Sequence, residues 1–193
     1  MKLNSIRDLK GLSPVLADSY AEGVDPVYWV FKEASKGKWE NITIIASGLI
    51  GNEYPKTFGH YHSSFVNETY HLVSGKGILV LQKKHFDKES GVWTPEIVDE
   101  VFFVTANPGD SVIITPEYGH SWSNIGDEPL ISFDDWRSGH QNSDYEEIQR
   151  LKGLAYYLTF QEGKMKVVPN TNYVNHPQPV FITVDEFNCK AVQ

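Results

Sequence analysis

The 193-residue chain has one cysteine, Cys189, close to its C-terminus. A lone thiol closes no internal disulfide and builds no thiolate zinc site. Long apolar runs are missing, and nothing approaches the ~20 residues of a membrane span. Met1 to Leu12 mixes basic, acidic and polar residues and lacks the apolar stretch of a secretory signal. Without such a signal, the sequons Asn41-Ile42-Thr43 and Asn67-Glu68-Thr69 carry no glycosylation context. The expectation is a soluble cytoplasmic protein. Basic charge is also short: 17 Lys and Arg stand against 25 Asp and Glu, for a formal charge of −8. Nucleic-acid backbones and anionic membranes both call for a basic face, so neither is an expected partner.

Helical periodicity, internal repeats and low-complexity linkers are scarce or absent. Present instead are short runs rich in Val, Ile, Thr and aromatics, broken by Gly, Pro, Asn and Asp, which is an all-β pattern. Expected strands are Val27–Phe31, Asn41–Ala46, Glu68–Val73, Gly77–Gln82, Val98–Val104, Ser111–Ile114, Ser121–Asn124, Leu130–Phe133, Ala155–Thr159 and Lys164–Val168. Hairpin connections are expected at Asp87–Gly91 and Glu162–Gly163. Two short helices are expected, at Pro14–Ala21 and at Asp144–Lys152, the second capped by Ser143 or Asp144. Strands so closely spaced suggest a jelly roll or barrel. The expected unit is one domain over residues 1–193, with a core of about 25–168 and residues 1–24 and 169–193 packed on it as extra strands and turns.

Seven histidines are the notable surplus. Gly59-His60-Tyr61-His62 is followed by Glu68 and Gly75. Two His at i and i+2 on an extended chain share a face, because side chains alternate with period two. His60 and His62 can then reach one metal ion while Tyr61 turns away. Glu68 follows in Asn67-Glu68-Thr69-Tyr70, where the chain returns as the next strand. Further on, Pro108-Gly109-Asp110 reads as a tight turn, Ser111–Ile114 as a strand and Thr115–Gly119 as a loop ending at His120. Asn124 comes four residues later. Three His and one carboxylate suit Fe(II), Mn, Ni, Co or Zn and leave positions open for water or substrate.

These two clusters resemble the paired motifs of the cupin superfamily. The first is His60-Tyr61-His62, Glu68 and Gly75; the second is Gly109, Pro116, His120 and Asn124. The resemblance implies a cupin jelly-roll barrel. A narrower resemblance rests on Gly51-Asn52-Glu53-Tyr54, Thr57-Phe58-Gly59-His60-Tyr61-His62 and Ser74-Gly75-Lys76-Gly77, and it runs from about Asp25 to about Lys166. These segments look like the cupin-type phosphoglucose isomerases. That likeness implies interconversion of glucose 6-phosphate and fructose 6-phosphate, one divalent ion per chain (iron or manganese before zinc, nickel or cobalt) and a homodimer. It maps metal ligands onto His60, His62, Glu68 and His120. It maps substrate-binding contacts, those to the phosphate, onto Thr43, Thr57, the Gly59 N–H and His140, and an active-site tyrosine onto Tyr70. The chain departs from the family in three places. Five residues, Ser63 to Asn67, separate His62 from Glu68 where the family has six; Trp136 stands where the family has tyrosine; and the segment around Arg137–His140 is shorter.

Aldose–ketose interconversion moves hydrogen between C1 and C2. A divalent ion would steady the developing charge as a Lewis acid. Glu68 would carry the proton as general base, although a hydride shift needs no base and the sequence leaves both open. A sugar phosphate brings about −2 to an acidic chain, and an all-β fold offers few helix N-termini to receive it. Attraction must therefore be local, from the metal, His140, Arg137 or Lys76, with neutral donors at Thr43, Thr57 and Gly59. His71, His85 and His176 read as structural or solvated. Trp136 reads as core packing and Asp144–Glu147 as a solvated helix start. Glu53 stands as a candidate second carboxylate near the metal. Competing functions are isomerisation of another sugar or sugar phosphate, a cupin dioxygenase, and a non-catalytic sugar-binding cupin.

Overall fold

The computed structural model describes residues 1–35 and 37–191. In chain order, β1 (Lys2–Arg7) leads through the single helical turn α1 (Leu9–Leu12) to β2 (Tyr28–Lys32), β3 (Asn41–Ile45), β4 (Glu68–Ser74) and β5 (Gly77–Phe86). There follow β6 (Trp93–Ala106), β7 (Ser111–Ile114), β8 (Tyr118–Asn124), β9 (Leu130–Asp134), α2 (Asn142–Arg150), β10 (Tyr156–Gln161), β11 (Lys164–Pro169), β12 (Val180–Thr183) and α3 (Val184–Ala191). One sheet runs β1-β2-β3-β9-β4-β7, a second runs β12-β6-β5-β8, and β10 pairs with β11 as a hairpin. The two larger sheets close over a shared apolar core to give an all-β jelly roll.

Period-two burial sets the inner face. In β3, β4 and β9 the buried positions alternate: Asn41, Thr43 and Ile45; Glu68, Tyr70 and Leu72; Leu130, Ser132 and Asp134. Register aligns them into rows across the sheet. Ile45 faces Leu130; Thr43 faces Ser132, which faces Leu72; Asn41 faces Asp134, which faces Tyr70. The rows grade from apolar to polar along the barrel. At the apolar end Leu130 and Trp122 pack on Gly77, where an added Cβ would fall 2.1 Å from Leu130 Cδ1. That end is plugged with side chains, and the polar end carries the chemistry.

The expected strands all form, with ends shifted by a few residues, as is usual at element boundaries. β1 and β12 come from the segments expected to pack as extensions. The helix expected at Pro14–Ala21 does not form. Asp8 caps α1 earlier, its side chain accepting from Gly11 N–H, and Pro14 falls in a 3₁₀ turn, Ser13–Val15, before Leu16 becomes extended. The second helix starts at Asn142 with Gln141 as its cap. His120, expected at the end of a loop, lies inside β8.

Candidate metal centre and its cavity

Backbone pairing at the polar end brings the first two motif residues together. His60 N–H donates to His120 C=O at 3.1 Å, and His120 N–H donates to His60 C=O at 3.0 Å. The chain reaches this bridge through Gly59 at φ +82°, where a Cβ would crowd His120 O and Ser121 Cβ at 3.3 Å. Tyr61 turns away from the histidines, packs over Gly119 and accepts a hydrogen bond from Gln82. His62 therefore points back to the side of His60. Its carbonyl accepts from Lys84 Nζ at 3.1 Å.

Glu68 opens β4 on an inward position and is fully buried. The five-residue connection Ser63–Asn67 ends before that strand starts, so its length leaves the parity of Glu68, Tyr70 and Leu72 untouched. One ligand atom from each of His60, His62, Glu68 and His120 lies within 4.8 Å of the others, and all four residues are buried. Glu68 Oε2 is 2.9 Å from His62 Nε2, 3.1 Å from His120 Nε2 and 4.0 Å from His60 Nε2. His60 Nε2, His120 Nε2 and Glu68 Oε1 are buried without a hydrogen-bond partner. Such orphaned atoms are costly unless something else satisfies them. A cation among them fits the donor set, which is mixed imidazole and carboxylate.

Electrostatics favour the same reading. Burial, then the neighbouring imidazoles, hold His60 well below the usual histidine range, and burial lowers His120. Both are thus neutral at neutral pH, the form that ligates metal. Burial pushes the Glu68 carboxyl up, but contacts from His120 and His62 outweigh it and bring the group down to about 2. Burial, then the Glu68 charge, raises Tyr70, which keeps its phenolic proton.

Beside the cluster lies a cavity of about 300 Å³. Thr43, Thr57, Gly59, His60, Tyr70 and His140 all line it. Thr57 is also the clasp between its segment and β8: its Oγ1 accepts from Trp122 N–H and its carbonyl accepts from Ser121 Oγ. The His140 ring sits 4.0 Å from the His60 ring, and burial lowers its pKa to about 4. Trp136 is buried and walls the cluster, its ring 3.9 Å from that of His62, with Nε1–H donating to Gly139 C=O. Trp136, read as core packing ahead of site lining, therefore touches the cluster and lines the cavity.

Other candidates fall elsewhere. Glu53 is not near the cluster: its carboxylate accepts from Ala17 N–H and pairs with Lys56. Arg137 is more than half exposed and pairs with Glu40. Lys76, exposed, lies beside Gly126 and does not line the cavity. Asn124 is structural, donating to the carbonyls of Ile45, Ala46 and Glu128. His71 hydrogen-bonds Ser111 and stacks on Trp39, His85 pairs with Asp99, and His176 contacts Asn170 C=O.

Sequence reasoning missed several residues of the site. Asp144 is not a solvated helix acid: it is buried and accepts from Ser63 N–H, Ser63 Oγ–H and Gln141 N–H. Asp134, Arg7, Tyr28, Lys32 and Tyr145 also line the cavity. The alternation of β9 carries the signal for Asp134, an acid at an inward position; nothing local marks Arg7.

Comparison with known proteins adds three relatives and a family. The family model of glucose-6-phosphate isomerase matches residues 7–176. The glucose-6-phosphate isomerase of Thermococcus litoralis is 30% identical over 88% of this chain and 87% of its own. That of Pyrococcus furiosus gives the same identity and coverage. That of Pyrococcus horikoshii is 31% identical over 88% of this chain and 86% of its own. Among solved structures, a predicted oxalate decarboxylase of Thermotoga maritima overlays loosely, with a TM-score of 0.41 and 15% identity over 69% of this chain and 90% of that one.

Proposed function

The chain belongs to the glucose-6-phosphate isomerase family, and from that premise we propose that it interconverts glucose 6-phosphate and fructose 6-phosphate at the His60, His62, Glu68 and His120 cluster. The observation that carries the location is the set of orphaned buried atoms on all four of those residues beside a polar cavity of sugar size.

His60, His62, Glu68 and His120 would hold one divalent ion, with Fe²⁺ or Mn²⁺ first and Zn²⁺, Ni²⁺ or Co²⁺ behind. When bound, that ion supplies Lewis acidity towards adjacent sugar oxygens. Glu68 has one oxygen turned to the histidines and a second, Oε1, without a partner. Oε1 is the atom suited to take a proton from C2 and return it at C1. A carboxylate held near 2 is a weak base, so its reach matters more than its basicity. Tyr70, kept protonated, donates its O–H to the sugar oxygens. Trp136 and its neighbours keep bulk water off the His62 side. Thr43, Thr57, the Gly59 N–H and His140 bind the substrate away from the reacting carbons. The functional unit is taken as one domain over residues 1–193, acting as a cytoplasmic homodimer; among the described residues no helix is long and apolar enough to cross a membrane.

Fructose 6-phosphate turnover is expected from the metal-loaded chain, lost on chelation and restored by added metal. No turnover on any hexose phosphate after metal is restored rejects the reading. Glu68→Gln is expected to lower kcat by about 10²-fold or more, the scale of a missing general base. In D₂O, product labelled at the accepting carbon supports proton transfer through Glu68 with exchange; unlabelled product together with undiminished turnover in Glu68→Gln moves the mechanism to a hydride shift.

A further inference from the structure

We propose that Asn41 and Asp134 form a pair that reads the sugar hydroxyls next to the reacting carbons, at C3 and C4, and so decides which sugar the cavity accepts; this rests on the isomerase reading above. Both residues line the cavity, and both are more than nine-tenths buried, Asn41 at 7% and Asp134 at 4% exposure. They come from different strands. Register sets Asn41 on β3 against Asp134 on β9, and Asp134 against Tyr70 on β4, so the three side chains form one inward row. The next inward position along β4 from Tyr70, away from the plugged end, is Glu68. Same-face neighbours on a strand stand roughly 6–7 Å apart, so the row lies one step from the carboxylate assigned to the reacting carbons. A sugar with C1 and C2 at the cluster brings its following hydroxyls to that row.

Hydrogen bonds hold the pair in place and leave two atoms over. Asp134 Oδ1 accepts from Asn41 Nδ2 and from Trp136 N–H. Asn41 Nδ2 also donates to Trp136 C=O at 3.1 Å. A carbonyl only accepts, so the amide nitrogen must sit on that side and the amide oxygen is turned from it. Asn41 Oδ1 is buried without a partner, and among the described residues none hydrogen-bonds Asp134 Oδ2. Packing does not require such a pair. Ile45 and Leu130 close the same gap between the same two strands with apolar side chains, whereas an orphaned buried acceptor weakens the fold. A sugar hydroxyl both donates and accepts, so it can give its proton to Asn41 Oδ1 while meeting the Asp134 carboxyl. Burial, then the Glu68 charge, pushes that carboxyl up to about 8, so near neutral pH it donates. The ionised form accepts instead, and the contact therefore survives either state. An analogue without the hydroxyl leaves buried polar atoms unpaired, which is how a pocket rejects it.

The test uses the full chain loaded with metal and compares glucose 6-phosphate with its 3-deoxy and 4-deoxy analogues. Steady-state kinetics read turnover. Calorimetry reads binding of glucitol 6-phosphate and its 3-deoxy and 4-deoxy forms, which cannot isomerise. The wild type is expected to lose about tenfold to a hundredfold in kcat/KM on at least one deoxy analogue, chiefly through KM, with a matching loss of affinity for the deoxy glucitol phosphate. Asp134→Ala is expected to lower kcat/KM on glucose 6-phosphate by the same order while leaving that deoxy analogue within about threefold of its wild-type value, so that the preference closes. Asn41→Ala should act in the same direction and gives an independent reading should Asp134→Ala not fold. Asp134→Asn should keep part of the preference, because its amide still donates. A structural role alone would lower the melting temperature and leave the preference between sugar and deoxy analogue unchanged. That result in folded variants, or a wild type with no such preference, overturns the proposal. A wild type that discriminates the glucitol phosphates through this pair yet turns over no hexose phosphate leaves the pair standing and sinks the isomerase reading instead.

Discussion

Asp134 is a carboxyl that its surroundings treat as an acid rather than an anion. It is buried at the polar end of β9, where its Oδ1 accepts from Asn41 Nδ2 and Trp136 N–H. Burial, then the Glu68 charge, pushes it up to about 8 from an ordinary 3.8. The folded state therefore binds its proton more tightly than the unfolded state does. Its ionisation costs no stability below about pH 4, costs progressively more as pH rises from 4 to 8, and reaches its full cost above 8. Asp134→Asn keeps an oxygen for both donors and removes the charge. Urea unfolding of the chelated protein should show the variant more stable by about 2–4 kcal/mol at pH 9, with a much smaller gain at pH 5. An equal gain at both values would remove burial of the charge as the cause. The contrast between Asp134 and the histidine cluster also marks what a sequence can reveal about single residues. His60, His62 and Glu68 lie within one short stretch, so their shared face follows from alternation alone. Alternation along β9 marks Asp134 as inward, but Arg7 and Lys32 reach the same cavity only through the register of β1, β2 and β3, which no local pattern encodes.

Among the elements, α2 matters more than its length suggests. It is a nine-residue helix, but its Asp144 joins three things: the helix N-terminus through Gln141 N–H, the loop after His62 through Ser63, and Tyr61 through its backbone carbonyl. The sequence shows the helix and its acidic start. It does not show that the acid faces inward, because the loop that Asp144 captures lies far away in the chain. Asp144→Ala should remove a cap and two further hydrogen bonds from Ser63, lowering stability by about 2–4 kcal/mol. It should also loosen Ser63–Asn67, the connection that delivers Glu68 to the histidines. Thermal unfolding reads the first effect. Hydrogen exchange reads the second, as faster exchange at residues 63–67 than elsewhere in the molecule. Uniform destabilisation without that local signal would confine Asp144 to capping α2. The expected helix at Pro14–Ala21 failed for a related reason: Asp8 starts a helical turn earlier, and a capping side chain outranks a favourable proline position.

For the molecule as a whole, the jelly roll was legible because short strand-sized runs and turn residues alternate along the chain and because the two histidine clusters resemble paired cupin motifs; that one end is filled and the other carries the polar rows came only from the register. That construction has a thermodynamic consequence. The closed end is packed with Ile45, Leu72, Trp122 and Leu130, all nearly or fully buried. The open end buries His60, His62, Glu68 and His120 with several polar atoms unpartnered, which weakens the fold until something satisfies them. A ligand that binds only the folded state stabilises it by mass action, by about 2.7 kcal/mol at a hundred times its dissociation constant. For a chain of this size that raises the melting temperature by about 5–10 °C. The metal-loaded protein should melt higher than the chelated protein by this order. Glu68→Gln should lose most of the difference, since the neutral amide removes the cluster's negative charge. A Glu68→Gln protein that retains the full shift would move the metal away from this cluster and take the proposed chemistry with it.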